Sequence, residues 1–359
     1  MSWGIDQYCM TKRPQPFACE AEVAEGLEGF AREELRERFP QHARLMQQGE
    51  RGIVGFSYSG DLRALSKLRT IEAVFLVQGY DVPRPKALLG DANFRRLVQQ
   101  VQSVLDLYPG QFSSLYLSAA GAHTPVMQRI KHDLARQLHL EAASEKGDTL
   151  LRIRPGRDGG WETLVRLTPR PLSTRSWRVC NYEASLNATV AHVMALLTTP
   201  TAQDTFVNLG CGSGTLLIER LAVKRARRVI GVDSSAAQLE CTATNLAASG
   251  GRDTAVQLLQ ADMTQTPLPA ACTDAVCADL PFGQRVGSHQ QNQRLYPRVL
   301  DEAARISRVG GRLVLITHEI RLMEQLATQM QFWAVERQLR VTLRGLHPAI
   351  YLLRRQPDA

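Results

Sequence analysis

No apolar run in this sequence approaches the roughly 20 residues that cross a bilayer, so no membrane helix is expected. The opening stretch MSWGIDQYCMTKRPQPF lacks the apolar core and small-residue cleavage site of a signal peptide, and a cytoplasmic location is the default expectation. The seven cysteines are odd in number and lack a framework spacing, which points to reduced thiols. Cys272 and Cys277 come closest to a pair. No second cysteine or histidine cluster completes a zinc site, so no metal is expected. There is no internal repeat and no low-complexity tract.

What remains is a globular chain of 359 residues, 44% hydrophobic and 22% charged, long enough for two or three domains. Its formal charge of +8 fits a nucleic-acid partner without establishing one. The distribution of that charge says more. LLRIRPGRDGGWETLVRLTPRPLSTRSWRV gathers Arg152, Arg154, Arg157, Arg166, Arg170, Arg175 and Arg178 in one segment. Alternation along a strand puts Arg152 and Arg154 on one face, either a solvated sheet surface or one that tracks phosphates.

From about Thr201 the sequence alternates apolar strands (TFVNLG, RVIGVD, VQLLQAD, DAVCADL, RLVLITH) with amphipathic helical stretches. That alternation predicts an α/β, doubly wound parallel sheet. FWAVERQLRVTLR and HPAIYLLRR read as two further strands joined by the turn GLHP, a connection that suits antiparallel strands. Five parallel strands closed by such a hairpin make the seven-stranded, Rossmann-like plan of class I methyltransferases. The N-terminal half is α+β. CEAEVAEGLEGFAREELRERF reads as a helix with Val23, Leu27, Phe30, Ala31 and Leu35 on one face, and DLRALSKLRT as another. SLNATVAHVMALLT reads as a lead-in helix, started by Ser185 or Asn187.

NLGCGSGT sits between a strand and a helix. Gly210, Gly212 and Gly214 leave room for a ligand against the backbone, and their G-x-G-x-G spacing differs from the G-x-G-x-x-G of dinucleotide folds. It is the spacing of S-adenosylmethionine enzymes. Asp233 ends the next strand, placed to accept ribose hydroxyls; Asp262 ends the one after, placed to receive an adenine amine, with Met263 beside the ring. Alone, either Asp reads as a turn or cap residue. Both together, after such a turn, identify S-adenosylmethionine as the expected cofactor, with Asn208, Thr215 and Ser234 as flanking candidates.

ADLPFG ends the fourth strand beside that site. It is a variant of the [DN]-P-P-[YF] signature of enzymes that methylate amino nitrogens conjugated to a ring. The lone pair of such a nitrogen is delocalised. The Asp279 carboxylate and the Leu280 carbonyl can each accept one of its hydrogens, aim the lone pair at the methyl group and stabilise the charge building on nitrogen. Pro281 fixes the turn, and Phe282 offers a face on which a base can stack, worth about 1–3 kcal/mol. A paired base would have to be flipped out or already unpaired to enter. In the absence of the glycine turn the same residues would read as a strand end with a capping Asp and a core Phe.

NLGCGSGTLLIE, GVD, QAD and ADLPFGQRVGSHQQNQRLYPRVLDEAARI resemble the THUMP-containing RNA guanine-N2 methyltransferases that form N2-methylguanosine at position 6 of the tRNA acceptor stem. The segment with Arg285, Gly287, Leu295 and Tyr296 is the most specific part. PLSTRSWRV and SLNATVAHVMALL are similar to the family's linker and lead-in helix, and EVAEGLEGFAREELRERF and GDLRALSKLRTIEAVFLV to its N-terminal portion. The resemblance implies a ferredoxin-like region over 1–90, a THUMP-like RNA-binding domain over 91–178, a linker and lead-in helix over 179–200 and a methyltransferase domain over 201–359. It implies Asp279 and Phe282 as the catalytic pair, tRNA as substrate, and a monomer. Arg152, Arg154, Arg175, Arg178 and Arg285 become candidates for RNA contact. Two alternatives stay open, the same chemistry on ribosomal guanine or adenine N6, and a catalytically silent RNA-binding module.

Overall fold

The computed structural model describes residues 16–47, 49–157, 159–181, 185–250, 255–281, 288–343 and 345–358. Two sheets organise them. The first contains β1 (Phe17–Glu22), β2 (Ala43–Leu45), β3 (Ile53–Tyr58), β4 (Ala73–Tyr80), β5 (Ser114–Ala119), β6 (Glu141–Ala142), β7 (Thr149–Pro155) and β8 (Trp161–Arg166). Their spatial order is β2-β3-β1-β4-β8-β7-β5-β6, so strands from 17–80 and from 114–166 share one sheet, joined where β4 pairs with β8. Helices α1 (Glu28–Arg38), α2 (Asp91–Leu105) and α3 (Pro125–Gln137) pack on it. Leu97, Val101 and Val104 on α2, and Met127, Ile130 and Leu134 on α3, recur at helical spacing and form its core.

One sequence expectation fails here. Cys19–Glu22 belongs to a strand, and the helix begins only at Glu28. β1 is paired on both sides, by β3 and β4, and two flanking strands override the local helical pattern. DLRALSKLRT forms a single 3-10 stretch, Leu62–Lys67, started by the Asp61 side chain, which accepts a hydrogen bond from the Arg63 amide.

The second sheet follows α4 (Ala188–Leu197), whose start is capped by Asn187. It contains β9 (Thr205–Leu209), β10 (Arg228–Asp233), β11 (Val256–Gln260), β12 (Thr273–Asp279), β13 (Ser307–Thr317), β14 (Trp333–Arg340) and β15 (Ala349–Arg355) in the order β11-β10-β9-β12-β13-β15-β14. The first five are parallel and β15 and β14 close the sheet antiparallel, as the alternation predicts. The hairpin reverses two residues earlier than GLHP suggests: Leu343 and Leu346 exchange backbone hydrogen bonds of 2.8 and 2.9 Å. The intervening helices are α5 (Thr215–Val223), α6 (Ala236–Ala248), α7 (His289–Ile306) and α8 (Ile320–Ala327). Among the described residues no helix is long and apolar enough to cross a membrane.

Two joints tie the sheets together. At the first, Glu219 on α5 is fully buried and is gripped by Arg69 (3.0 Å), Arg175 (2.9 Å) and His192 Nδ1 (2.9 Å), which come from the first sheet's unit, the linker and α4. At the second, Asn245 on α6 accepts the Val179 and Cys180 amides and donates to the Cys180 and Ser213 carbonyls. One turn back on the same helix, Cys241 is disulfide-bonded to Cys180. This corrects the expectation of reduced thiols throughout: the partners lie 61 residues apart and only the fold brings them together. Closing a loop of that size restricts the unfolded chain. Cys241→Ser, or reduction, is expected to lower stability by about 2–4 kcal/mol, read from urea midpoints in oxidising and reducing buffer.

Candidate active site

The parallel register brings the ends of β9, β10, β11 and β12 to one edge, with the switch in strand order between β9 and β12. In open α/β sheets that crevice is where ligands bind. Gly210, Gly212 and Gly214 have φ of +66°, +52° and +82°, a left-handed run that winds the chain from β9 into α5. The turn is braced from both sides. Asp233 accepts the Gly212 amide at 2.8 Å and the Ser235 amide at 3.0 Å, and Thr242 Oγ1 donates to the Gly212 carbonyl at 2.5 Å.

The space around the turn is uneven. A side-chain carbon at Gly210 would stand 2.4 Å from Met263 Cε, and one at Gly214 would stand 2.9 Å from Thr242, whereas one at Gly212 would meet nothing within 4 Å. The open side of the turn is therefore over Gly212. Asn208 donates to the Cys277 carbonyl at 3.2 Å, and its buried Oδ1 has no partner among the described residues. Asp262 is exposed and caps its own turn through Thr264, whose amide and hydroxyl (both 2.8 Å) hold its carboxyl below the usual range. Ser234 is exposed between these elements. Thr215 faces elsewhere: its hydroxyl accepts Arg178 at 3.0 Å, on the linker side.

Asp279 closes β12, and Ala278 pairs with Leu209 one residue before the glycine turn. Burial pushes its pKa up to about 7, and among the described residues its carboxylate accepts no hydrogen bond. Leu280 is buried, and its N–H donates to the Ile316 carbonyl at 3.1 Å, a bond that a proline at this position could not make. The Pro281 carbonyl accepts Tyr296 OH at 2.7 Å and Asn292 Nδ2 at 2.9 Å, both from α7. Phe282 and Arg285 lie outside the described residues.

The arginine segment departs most from its reading as a phosphate-tracking surface. Arg152 pairs with Glu22 and lies 4.4 Å from the Phe75 ring centre; Arg154 pairs with Glu20 (2.7 Å) and Glu162 (3.0 Å). Arg175 is buried on Glu219, where its guanidinium cannot reach a backbone phosphate. Arg178 donates to the Leu186 carbonyl and to Thr215. Arg152 and Arg154 meet acidic partners more than 100 residues away in β1 across the sheet, and Arg175 meets Glu219 on α5.

Sequence reasoning missed Asn292, Thr317 and Glu219. Asn292 had a signal: it sits one turn before Tyr296 on a helix face otherwise filled by Val299, Leu300 and Ala303, and a polar residue on a buried stripe needs a partner.

Residues 175–349 match the profile of the family described as "RMKL-like, methyltransferase domain". The first curated relatives include the "tRNA (guanine(6)-N(2))-methyltransferase THUMP3" of Bos taurus, 29% identical over 187 residues. The match covers 49% of this chain and 37% of the bovine protein's length. The "tRNA (guanine(6)-N2)-methyltransferase" of Methanocaldococcus jannaschii is 22% identical over 388 residues, covering 92% of this chain and 98% of that protein. Among solved structures, TrmN from Thermus thermophilus superposes with a TM-score of 0.74 at 21% identity, covering 94% of this chain and 99% of that one. This likeness establishes the fold over both sheets. The glycine turn and Asp279 lie inside the matched segment.

Proposed function

We propose that this chain transfers a methyl group from S-adenosylmethionine to the exocyclic N2 of a guanosine in tRNA, the acceptor-stem position 6 being the first candidate. The observation that carries the reading is Asp279: a carboxylate that accepts no hydrogen bond from the described residues, at the open end of β12, beside a glycine turn with room over Gly212. The printed names of the bovine and archaeal relatives support guanine N2 as the acceptor. When bound, the cofactor supplies a sulfonium-activated methyl group. Gly212, the orphaned Asn208 Oδ1, Asp233 and Asp262 are the residues that would hold it.

The chain's own contribution is orientation. The Asp279 carboxylate and the Leu280 carbonyl accept the two amine hydrogens, which turns the nitrogen lone pair out of conjugation and offsets positive charge as it develops. Water takes the proton afterwards. Residues 91–178 form the part we assign to RNA docking, with basic side chains other than Arg152, Arg154, Arg175 and Arg178 carrying the phosphate contacts. RNA affinity should then fall steeply with added salt.

Gly212→Ala separates cofactor binding from folding. Its methyl group enters open space, so the cost in stability is only the left-handed strain of about 1–2 kcal/mol. We expect the variant to fold and to lose S-adenosylmethionine binding in a calorimetric titration. The function itself is tested by nucleoside analysis of tRNA from cells lacking the gene, with and without the restored wild-type chain. N2-methylguanosine should vanish and return. An unchanged N2-methylguanosine level, with a methylated adenine lost in its place, would overturn the assignment.

A further inference from the structure

The turn after β12 is held from behind by hydrogen bonds that all run one way. Tyr296 donates its phenolic proton to the Pro281 carbonyl at 2.7 Å, and Thr317 Oγ1 lies 2.6 Å from the same phenolic oxygen. A phenol has one proton to give. With that proton on Pro281, Thr317 must donate to Tyr296, and its own lone pair receives the Glu319 amide at 2.9 Å. Bonds aligned in this way polarise one another and strengthen the last of them. Tyr296 is fully buried, which pushes its pKa up and keeps the proton on oxygen. Asn292 Nδ2 adds a second donor on the Pro281 carbonyl at 2.9 Å.

These contacts fix more than one carbonyl. The Leu280 amide is anchored on Ile316, the Pro281 ring sets φ, and the Pro281 oxygen is pinned by two donors. Both peptide planes flanking the Leu280 carbonyl are thereby immobilised. That carbonyl has no donor from the described residues. We propose that Tyr296, Thr317 and Asn292 are positioning residues for methyl transfer, which hold the Leu280 carbonyl toward the exocyclic amine by anchoring the carbonyl that follows it. The inference rests on the guanine-N2 reading above.

The test uses the full chain with S-adenosylmethionine and an unmodified tRNA transcript. Tyr296→Phe keeps the ring and removes the hydroxyl. It should lower kcat by about 10-fold or more while KM for tRNA and the cofactor Kd stay within about 2-fold, because the lost bond acts on geometry at the reacting nitrogen. Thr317→Val should lose turnover in the same way, and Thr317→Ser, which keeps the hydroxyl in the file, should restore most of it. Wild-type kcat in both Tyr296→Phe and Thr317→Val would overturn the proposal. So would equal losses in Thr317→Ser and Thr317→Val, or losses that follow KM or melting temperature alone. A wild-type chain that makes no N2-methylguanosine withdraws both the reading and the inference; an active wild type with full-rate variants sinks the inference alone.

Discussion

Asp279→Ala is expected to reduce single-turnover methylation of tRNA by roughly 100- to 1,000-fold, the range typical of removing one acceptor or donor aimed at developing charge. S-adenosylmethionine affinity should change little, because the residues assigned to the cofactor stand on other strands. The two readings of Asp279, strand cap or amine acceptor, separate here: a cap would lose stability and keep its rate. The pH dependence adds a second check. With a pKa raised by burial to about 7, the carboxylate form needed to accept the amine fills only as pH rises through neutrality. The rate measured on free enzyme should therefore climb with a midpoint near 7, and Asp279→Asn should flatten it. The sign for stability is opposite. Between the ordinary carboxyl value and about 7 the folded chain binds a proton that the unfolded chain has released, so this group lowers stability as pH rises across that window. Asp279→Asn should accordingly melt higher than wild type at pH 8, an example of function held at the expense of stability.

Glu219→Leu is expected to destabilise the chain by about 3–5 kcal/mol in urea titrations, because it strands the buried Arg175 guanidinium with no counter-charge. Burial alone would push the Glu219 carboxyl up, but the hydrogen bond with His192 and the charges of Arg175 and Arg69 outweigh it and hold the carboxyl near 2. Burial also pulls the Arg175 pKa down, yet a guanidinium so lowered stays charged at any pH of interest. A depressed carboxyl contributes stability that is complete above its unfolded value and is lost as pH falls through its folded one. Wild-type stability should thus decline between about pH 4.5 and 2. The decline should be shallower in Glu219→Gln.

Legibility in the sequence followed the range of the interactions. The parallel sheet could be read because strands and helices alternate in chain order, and the glycine turn because its three glycines adopt a positive φ locally. Asp279 stood out as a candidate because its neighbours Leu280 and Pro281 form one local unit with it. β1 was misread because its strand character comes from β3 and β4 on either side, not from its own residues. The Cys180–Cys241 bond, the Glu219 cluster and the carboxylates facing Arg152 and Arg154 were invisible for the same reason. Apart from His192–Glu219 and Arg154–Glu162, 27 and 8 positions apart, these contacts join residues between 44 and 150 positions apart. Arg152, Arg154 and Arg175, which look like part of an RNA surface in one dimension, are in three the far halves of ion pairs.

The Glu219 cluster also dictates how the molecule can be dissected. A fragment beginning at the Rossmann-like half would present α5 with a naked carboxylate on a face meant for α4, and would have neither guanidinium nor imidazole to neutralise it. Deleting the N-terminal half would then cripple the C-terminal half through its folding before any question of a partner arose. Severing one salt link at a time is the cleaner way to ask what each half does.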